Sequence, residues 1–160
     1  MPEELEMLKQ LGYSELNYVT LQRHRFQEVR DLLFKAVAEM EMPWKPLPCH
    51  SGYFMMVDVQ ACRPLVPESY FTSHDYDPDV TSHRLSMPGS ITAEKPQGIV
   101  PLDLAFARWM GKENGVTMMP NSFFYAAGSQ NLNENYVRLG ICKNLAAAKQ
   151  AVEKLRLIKL

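Results

Sequence analysis

The 160-residue sequence has no long apolar run and almost no net charge. No apolar stretch approaches the roughly 20 residues that a membrane-spanning helix needs. The formal charge of −1 gives no electrostatic reason to bind nucleic acid or an anionic membrane. The acidic, amphipathic start MPEELEMLKQL is unlike a secretory signal peptide. We therefore expect a globular protein of the cytoplasm, with a mitochondrial location left open.

Cysteine is scarce as well. The three cysteines, Cys49, Cys62 and Cys142, are odd in number and show no metal-ligand spacing. This pattern favours reduced thiols in a cytosol-like compartment over a disulfide framework.

One acidic segment raises the question of a metal site. Three alternating aspartates lie between two histidines: His74, Asp75, Asp77, Asp79 and His83. Pro78 interrupts the alternation, and the glycine and distal glutamate of a calcium loop are missing. We therefore predict a solvated acidic loop and no metal site.

Three amphipathic patterns predict helices. The first covers about residues 20–42 with an apolar stripe at helical spacing, and Pro43 ends it. The second begins after Pro101 and ends at Asn114-Gly115, a pair that tolerates the left-handed conformation. The third follows Asn144, which suits a helix N-cap.

Three shorter runs predict strands: residues 52–59, 116–120 and the segment NENYVRLGICKN at 133–144. Residues 60–100 contain five prolines and little periodicity, which indicates a long irregular insertion. The order of elements predicts a single small α/β (α+β) domain over residues 1–160, with a three-stranded sheet covered by helices.

Four stretches together are similar to the small C-terminal domain of class I/II, fold-type I aminotransferases, which depend on pyridoxal 5'-phosphate. They are RDLLFKAVAEM, SGYFMMVDV, DLAFARWMGKENGVTMMPNSFFY and NYVRLGICKN. Within that superfamily, the sequence most resembles the kynurenine–oxoglutarate transaminase and cysteine-conjugate β-lyase group. The resemblance implies a transferase that moves an amino group between an amino acid and a 2-oxo acid. It also implies a homodimeric parent enzyme with a large cofactor-binding domain.

Arg138 is a guanidinium in the middle of an apolar strand. In the resembled family, the arginine on this strand binds the α-carboxylate of the substrate. A rigid two-pronged donor on a strand suits that role. From the strand pattern alone, a pair with a nearby acid or a solvated sheet face is the alternative.

The aromatic loop after residue 120 supplies weaker candidates. Asn121, Ser122, Phe123 and Tyr125 resemble the family's loop that closes over the substrate. The alternative is that the aromatic rings anchor the loop by burial.

The groups that hold the cofactor have no counterpart in this sequence. Lys35, Lys112 and Lys143 do not match the family's cofactor lysine, and no glycine-rich phosphate loop introduces a helix. We therefore expect no catalytic residue in this segment and no covalent binding of pyridoxal 5'-phosphate to it.

Two hypotheses follow. The chain is the substrate-carboxylate-binding part of a larger aminotransferase, or it is a free-standing binding or assembly module derived from that domain. The first hypothesis also implies an apolar face that the large domain covers in the parent enzyme.

Overall fold

The computed structural model describes residues 6–7, 9–12, 18–71, 100–125 and 133–158. From residue 18 on, these ranges contain the elements α1 (Tyr18–Glu39), β1 (Lys45–Pro46), β2 (Phe54–Asp58), α2 (Leu102–Glu113), β3 (Met119–Pro120), β4 (Tyr136–Gly140) and α3 (Leu145–Arg156). Short 3-10 helices span Gln60–Leu65, Glu68–Tyr70 and Ser122–Phe124.

The strands form one antiparallel sheet in the order β1-β2-β4-β3. The predicted α/β class is confirmed, but the sheet has four strands and not three. The additional strand, β1, lies in a proline-rich segment that favours a loop. Lys45 and Pro46 pair with Asp58 and Val57. Because β1 is an edge strand, Pro46 is tolerated there.

The two faces of the sheet differ. Met55, Val57, Val137 and Leu139 lie on one face, and all four are buried in the core with apolar residues of the three helices. The opposite face, here called the open face, carries side chains that are half-buried or exposed: Phe54, Met56, Met119, Tyr136 and Arg138. The sheet therefore has a core side and a side that is available for contact.

The helices begin and end near the predicted positions. α1 ends at Glu39, before the predicted stop at Pro43, and the buried residues Val29, Leu33 and Val37 form its stripe. Asn144 caps α3 as predicted, since its Oδ1 accepts a hydrogen bond from the amide of Ala147 at 2.7 Å.

The first part of the predicted insertion is ordered. Its two 3-10 helices bring Cys62, Val66 and Phe71 into the core. The rest, residues 72–99, lies outside the described residues, and so does the acidic segment with its two histidines.

Neither a membrane span nor a metal site is found in the parts of the chain that the structure describes. The three cysteines are free. Burial raises the pKa of the Cys62 thiol to about 12, and the nearby charge of Asp58 adds to the effect.

Candidate functional site

Arg138 lies at the centre of β4, on the open face. It pairs across the sheet with Met56 of β2 and Met119 of β3. Its neighbours along the strand, Val137 and Leu139, point into the core. The strand alternation therefore holds the guanidinium on the side of the sheet that a ligand can reach.

Two side chains from the turn after β3 fix the guanidinium. Arg138 Nε donates a hydrogen bond of 2.7 Å to Asn121 Oδ1. The guanidinium carbon also lies 3.8 Å from the ring centroid of Phe124, in cation–π geometry. The inner edge and one flat side of the group are thereby held in place.

The outer end of the guanidinium carries Nη1 and Nη2. Across the described ranges, no residue forms an ion pair or a hydrogen bond with these two nitrogens of Arg138. A carboxylate can accept two parallel hydrogen bonds from such a pair of donors. The alternative of an internal acidic partner therefore has no support within the described residues.

The turn that carries these contacts is itself well anchored. Asn121 is only 1 % exposed, and its backbone amide donates to the Tyr136 carbonyl at 3.2 Å. The 3-10 helix Ser122–Phe124 follows, closed by a hydrogen bond of 3.1 Å from the Phe124 amide to the Asn121 carbonyl. The position of Asn121 is thus set by the backbone on both sides.

Asp103, near the start of α2, fastens the same turn. Its carboxylate is fully buried. Oδ2 accepts from the Ser122 amide at 2.7 Å, and Oδ1 accepts from the Leu104 amide at 2.8 Å. The Asp103 amide in turn donates to the Glu134 carbonyl at 2.9 Å, in the turn before β4. This residue therefore links the turn after β3 to the turn before β4.

Burial raises the pKa of Asp103 to about 6 and the charge of Glu134 adds to this rise, while the hydrogen bonds from the backbone amides of Ser122 and Leu104 lower the pKa. The hydroxyl oxygen of Ser122 is buried and has no hydrogen-bond partner among the described groups.

The structure brings only one of the weaker candidates to Arg138. Asn121 contacts the guanidinium, whereas Phe123 packs against the core. Tyr125, which follows the 3-10 helix, is exposed. Sequence reasoning missed Phe124, because a run of three aromatics does not show which ring faces outward. It also missed Asp103.

The lysines do not converge on Arg138. Lys35 lies exposed on α1, 3.9 Å from Glu39. Lys112 lies 6.0 Å from the ring of Tyr70, and Lys143 is exposed after β4. Asp103 already accepts two amide hydrogen bonds. We assign none of the described residues to pyridoxal 5'-phosphate, and the absence of covalent cofactor binding to this segment stays a prediction.

Comparison with protein-family models gives no match. The sequence is 26% identical over 132 residues to kynurenine–oxoglutarate transaminase 1 of Homo sapiens, covering 81% of this chain and 29% of that protein. The crystal structure of Bna3p from Saccharomyces cerevisiae matches with a TM-score of 0.59 and 20% identity, covering 89% of this chain and 28% of that chain. YbdL from Escherichia coli, described with a methionine aminotransferase function, matches with a TM-score of 0.51 and 23% identity, covering 83% of this chain and 24% of that chain.

The chain is similar in sequence to aminotransferases, and its fold matches that of their C-terminal domain. The resemblance seen in the sequence is thus confirmed. The chain spans less than a third of the length of each of these three proteins.

Proposed function

We propose that this chain is the substrate-carboxylate-binding domain of a pyridoxal 5'-phosphate-dependent aminotransferase. In this proposal, Arg138 binds the α-carboxylate of an amino acid or a 2-oxo acid through Nη1 and Nη2. The carrying observation is the geometry of Arg138: a guanidinium on the open face, held at Nε by Asn121 and on one side by Phe124.

The geometry supports this role on physical grounds. A guanidinium that is already fixed loses little further side-chain freedom when a ligand binds, so more of the interaction energy remains for affinity. Arg138 pairs across the sheet with Met56 and Met119, and apolar neighbours of this kind would limit the water around an ion pair and so strengthen it.

The cofactor belongs, in this proposal, to the part of the parent enzyme outside this chain. When bound, pyridoxal 5'-phosphate supplies the electron-sink chemistry of amino transfer. The residues of this chain bind and orient the acid end of the substrate, and Asn121 and Phe124 hold the group that does so.

The test is the variant Arg138→Ala in the parent enzyme. We expect the KM for amino acids to rise strongly, because loss of the pair costs roughly 2–5 kcal/mol. Arg138→Lys is the matched control for charge. It keeps the positive charge but cannot form two parallel bonds to one carboxylate, so it should recover only part of the affinity.

A substrate control separates carboxylate binding from general damage. An amine that lacks the α-carboxylate should react equally poorly with the wild type and with Arg138→Ala. If kcat/KM of the variant instead falls by the same factor for the amine and for the amino acid, Arg138 does not bind the carboxylate. Unchanged amino acid kinetics would remove it from the site and favour the alternative of a module without this activity.

A further inference from the structure

We propose that Asp103 is a positioning residue that orients Arg138 through the turn of residues 121–124. Its effect on substrate binding rests on the proposed function of Arg138, whereas its effect on the orientation of Arg138 does not.

The chain of contacts runs without a gap from Asp103 to the guanidinium. Asp103 Oδ2 accepts from the Ser122 amide at 2.7 Å, and Ser122 directly follows Asn121. Asn121 accepts from Arg138 Nε at 2.7 Å, and Phe124, at the end of the same 3-10 helix, stacks on the guanidinium. A displacement of the Ser122 amide would therefore move both groups that hold Arg138.

A second contact ties Asp103 to the segment that leads into the strand of Arg138. Its amide donates to the Glu134 carbonyl at 2.9 Å, in the turn that leads into β4. The start of α2 thus joins the turn after β3 to the turn before β4. Both turns lie at the end of the sheet where β3 ends and β4 begins, and Arg138 is the third residue of β4.

The chemistry of the side chain explains why a carboxylate occupies this position. Its two oxygens accept from two different amides, those of Leu104 and Ser122. An asparagine at this position has one acceptor oxygen, and its amino group would face the second N–H donor. A protonated carboxyl group is limited in the same way, because one of its oxygens then carries a hydrogen. Burying a carboxylate is costly unless its oxygens are hydrogen-bonded, so its presence here indicates a requirement for both bonds.

Protonation of Asp103 therefore provides a test that needs no mutation. Its pKa lies at about 6. In the 160-residue chain, we expect the Nε–Hε NMR signal of Arg138 to shift as the pH falls through this value, with the same midpoint as the carboxyl carbon signal of Asp103. An Arg138 signal that stays constant while Asp103 titrates would overturn the inference.

Glu134 is the charged group that acts on Asp103 within the described part of the chain. The variant Glu134→Gln is therefore the matched control, and it should retain the coupled titration with a lower midpoint. Asp103→Asn should abolish the pH-dependent shift of the Arg138 signal. If the shift persists in Asp103→Asn, another group is responsible and the inference fails.

Kinetics of the parent enzyme provide the functional readout. Asp103→Asn should raise the KM for the amino acid several-fold at pH 8, with a smaller change in kcat. The ratio of the variant and wild-type KM values should approach one as the pH falls below 6, because the wild-type carboxyl group is then protonated. A ratio that does not depend on pH would mean a merely structural role. If the two NMR signals titrate together but the KM does not depend on Arg138, the orienting contact exists and the proposed function is wrong.

Discussion

At the scale of single residues, the arrangement around Arg138 prepares the guanidinium before any ligand arrives. A free arginine side chain carries about 2 kcal/mol of rotamer entropy, part of which is lost when it is fixed. Here the hydrogen bond to Asn121 and the stacking on Phe124 fix it in the folded chain. The loss of side-chain entropy therefore occurs during folding, and it does not reduce the affinity for a carboxylate.

Two neighbouring aromatic residues allow this to be tested. Phe124 is 52 % exposed and stacks on Arg138, whereas Phe123 packs against the core. Phe124→Leu removes the cation–π contact, worth about 0.5–1 kcal/mol at an exposed site, and should raise the KM of the parent enzyme for amino acids by a corresponding two- to fivefold. Thermal stability should change little.

Phe123→Leu is the matched control, because it should lower the melting temperature and leave the KM nearly unchanged. If the two variants have the same effect on KM, the stacking of Phe124 does not orient Arg138.

The candidate site could be predicted from the sequence only in part. Arg138 stands out because a charged residue in an alternating strand is unusual. Asn121 became a candidate because its segment resembles the family's loop that closes over the substrate, and not because of its spacing from Arg138 in the sequence. Asp103 gave no distinguishing signal, since an acidic residue in the first turn of a helix is common for reasons of the dipole alone. Its bond to Ser122 joins positions 19 residues apart, and local pattern does not encode such a contact.

At the scale of elements, the long periodic segments were predicted well, whereas β1 was missed and β3 was predicted longer than it is. α1 and α3 carry apolar stripes over several turns, so their existence follows from the sequence. β1 and β3 have two residues each, and both contain a proline. They exist because neighbouring strands provide hydrogen-bond partners, which is a tertiary effect. The alternation in β2 was hidden because its outward residues, Phe54 and Met56, are also apolar.

The end of α2 depends on a glycine. Gly115 has φ = 64°, in the left-handed region, and the carbonyl of this residue accepts a hydrogen bond of 3.1 Å from Lys154 Nζ of α3. A Cβ atom at this position would lie 2.9 Å from the same Nζ. Gly111, one turn earlier, lies within the helix, and a Cβ atom added there would meet no atom of the surrounding structure within 4 Å.

Replacing these two glycines by alanine should change the free energy of unfolding in opposite directions. Gly115→Ala should lower the free energy of unfolding by about 1–2 kcal/mol, because the left-handed conformation is unfavourable for a residue with Cβ. Gly111→Ala should raise it by up to about 1 kcal/mol, since alanine has the higher helix propensity. Urea denaturation of both variants measures this difference, and a stabilising Gly115→Ala would show that α2 does not require the left-handed residue.

At the scale of the whole molecule, the two faces of the sheet indicate how the domain is used. One face is buried under helices, while the open face combines apolar side chains with the guanidinium of Arg138. The chain also spans less than a third of the aminotransferases that it matches. Under the proposed function, the rest of the parent enzyme should cover the open face and enclose the substrate beside Arg138.

This arrangement predicts the behaviour of the isolated 160-residue chain. Without a covering domain, the apolar part of the open face should drive self-association, because burial of apolar surface is favourable at about 25 cal/mol per Å². Sedimentation velocity over a range of concentrations should show reversible oligomers.

Met119→Gln should weaken them, since Met119 lies on this face and is 39 % exposed. Leu157→Gln is the control: Leu157 is 77 % exposed at the end of α3, away from the open face, so its replacement should leave association unchanged. A monomer at all concentrations would instead mean that the open face is stable in water, as expected for a domain that functions alone.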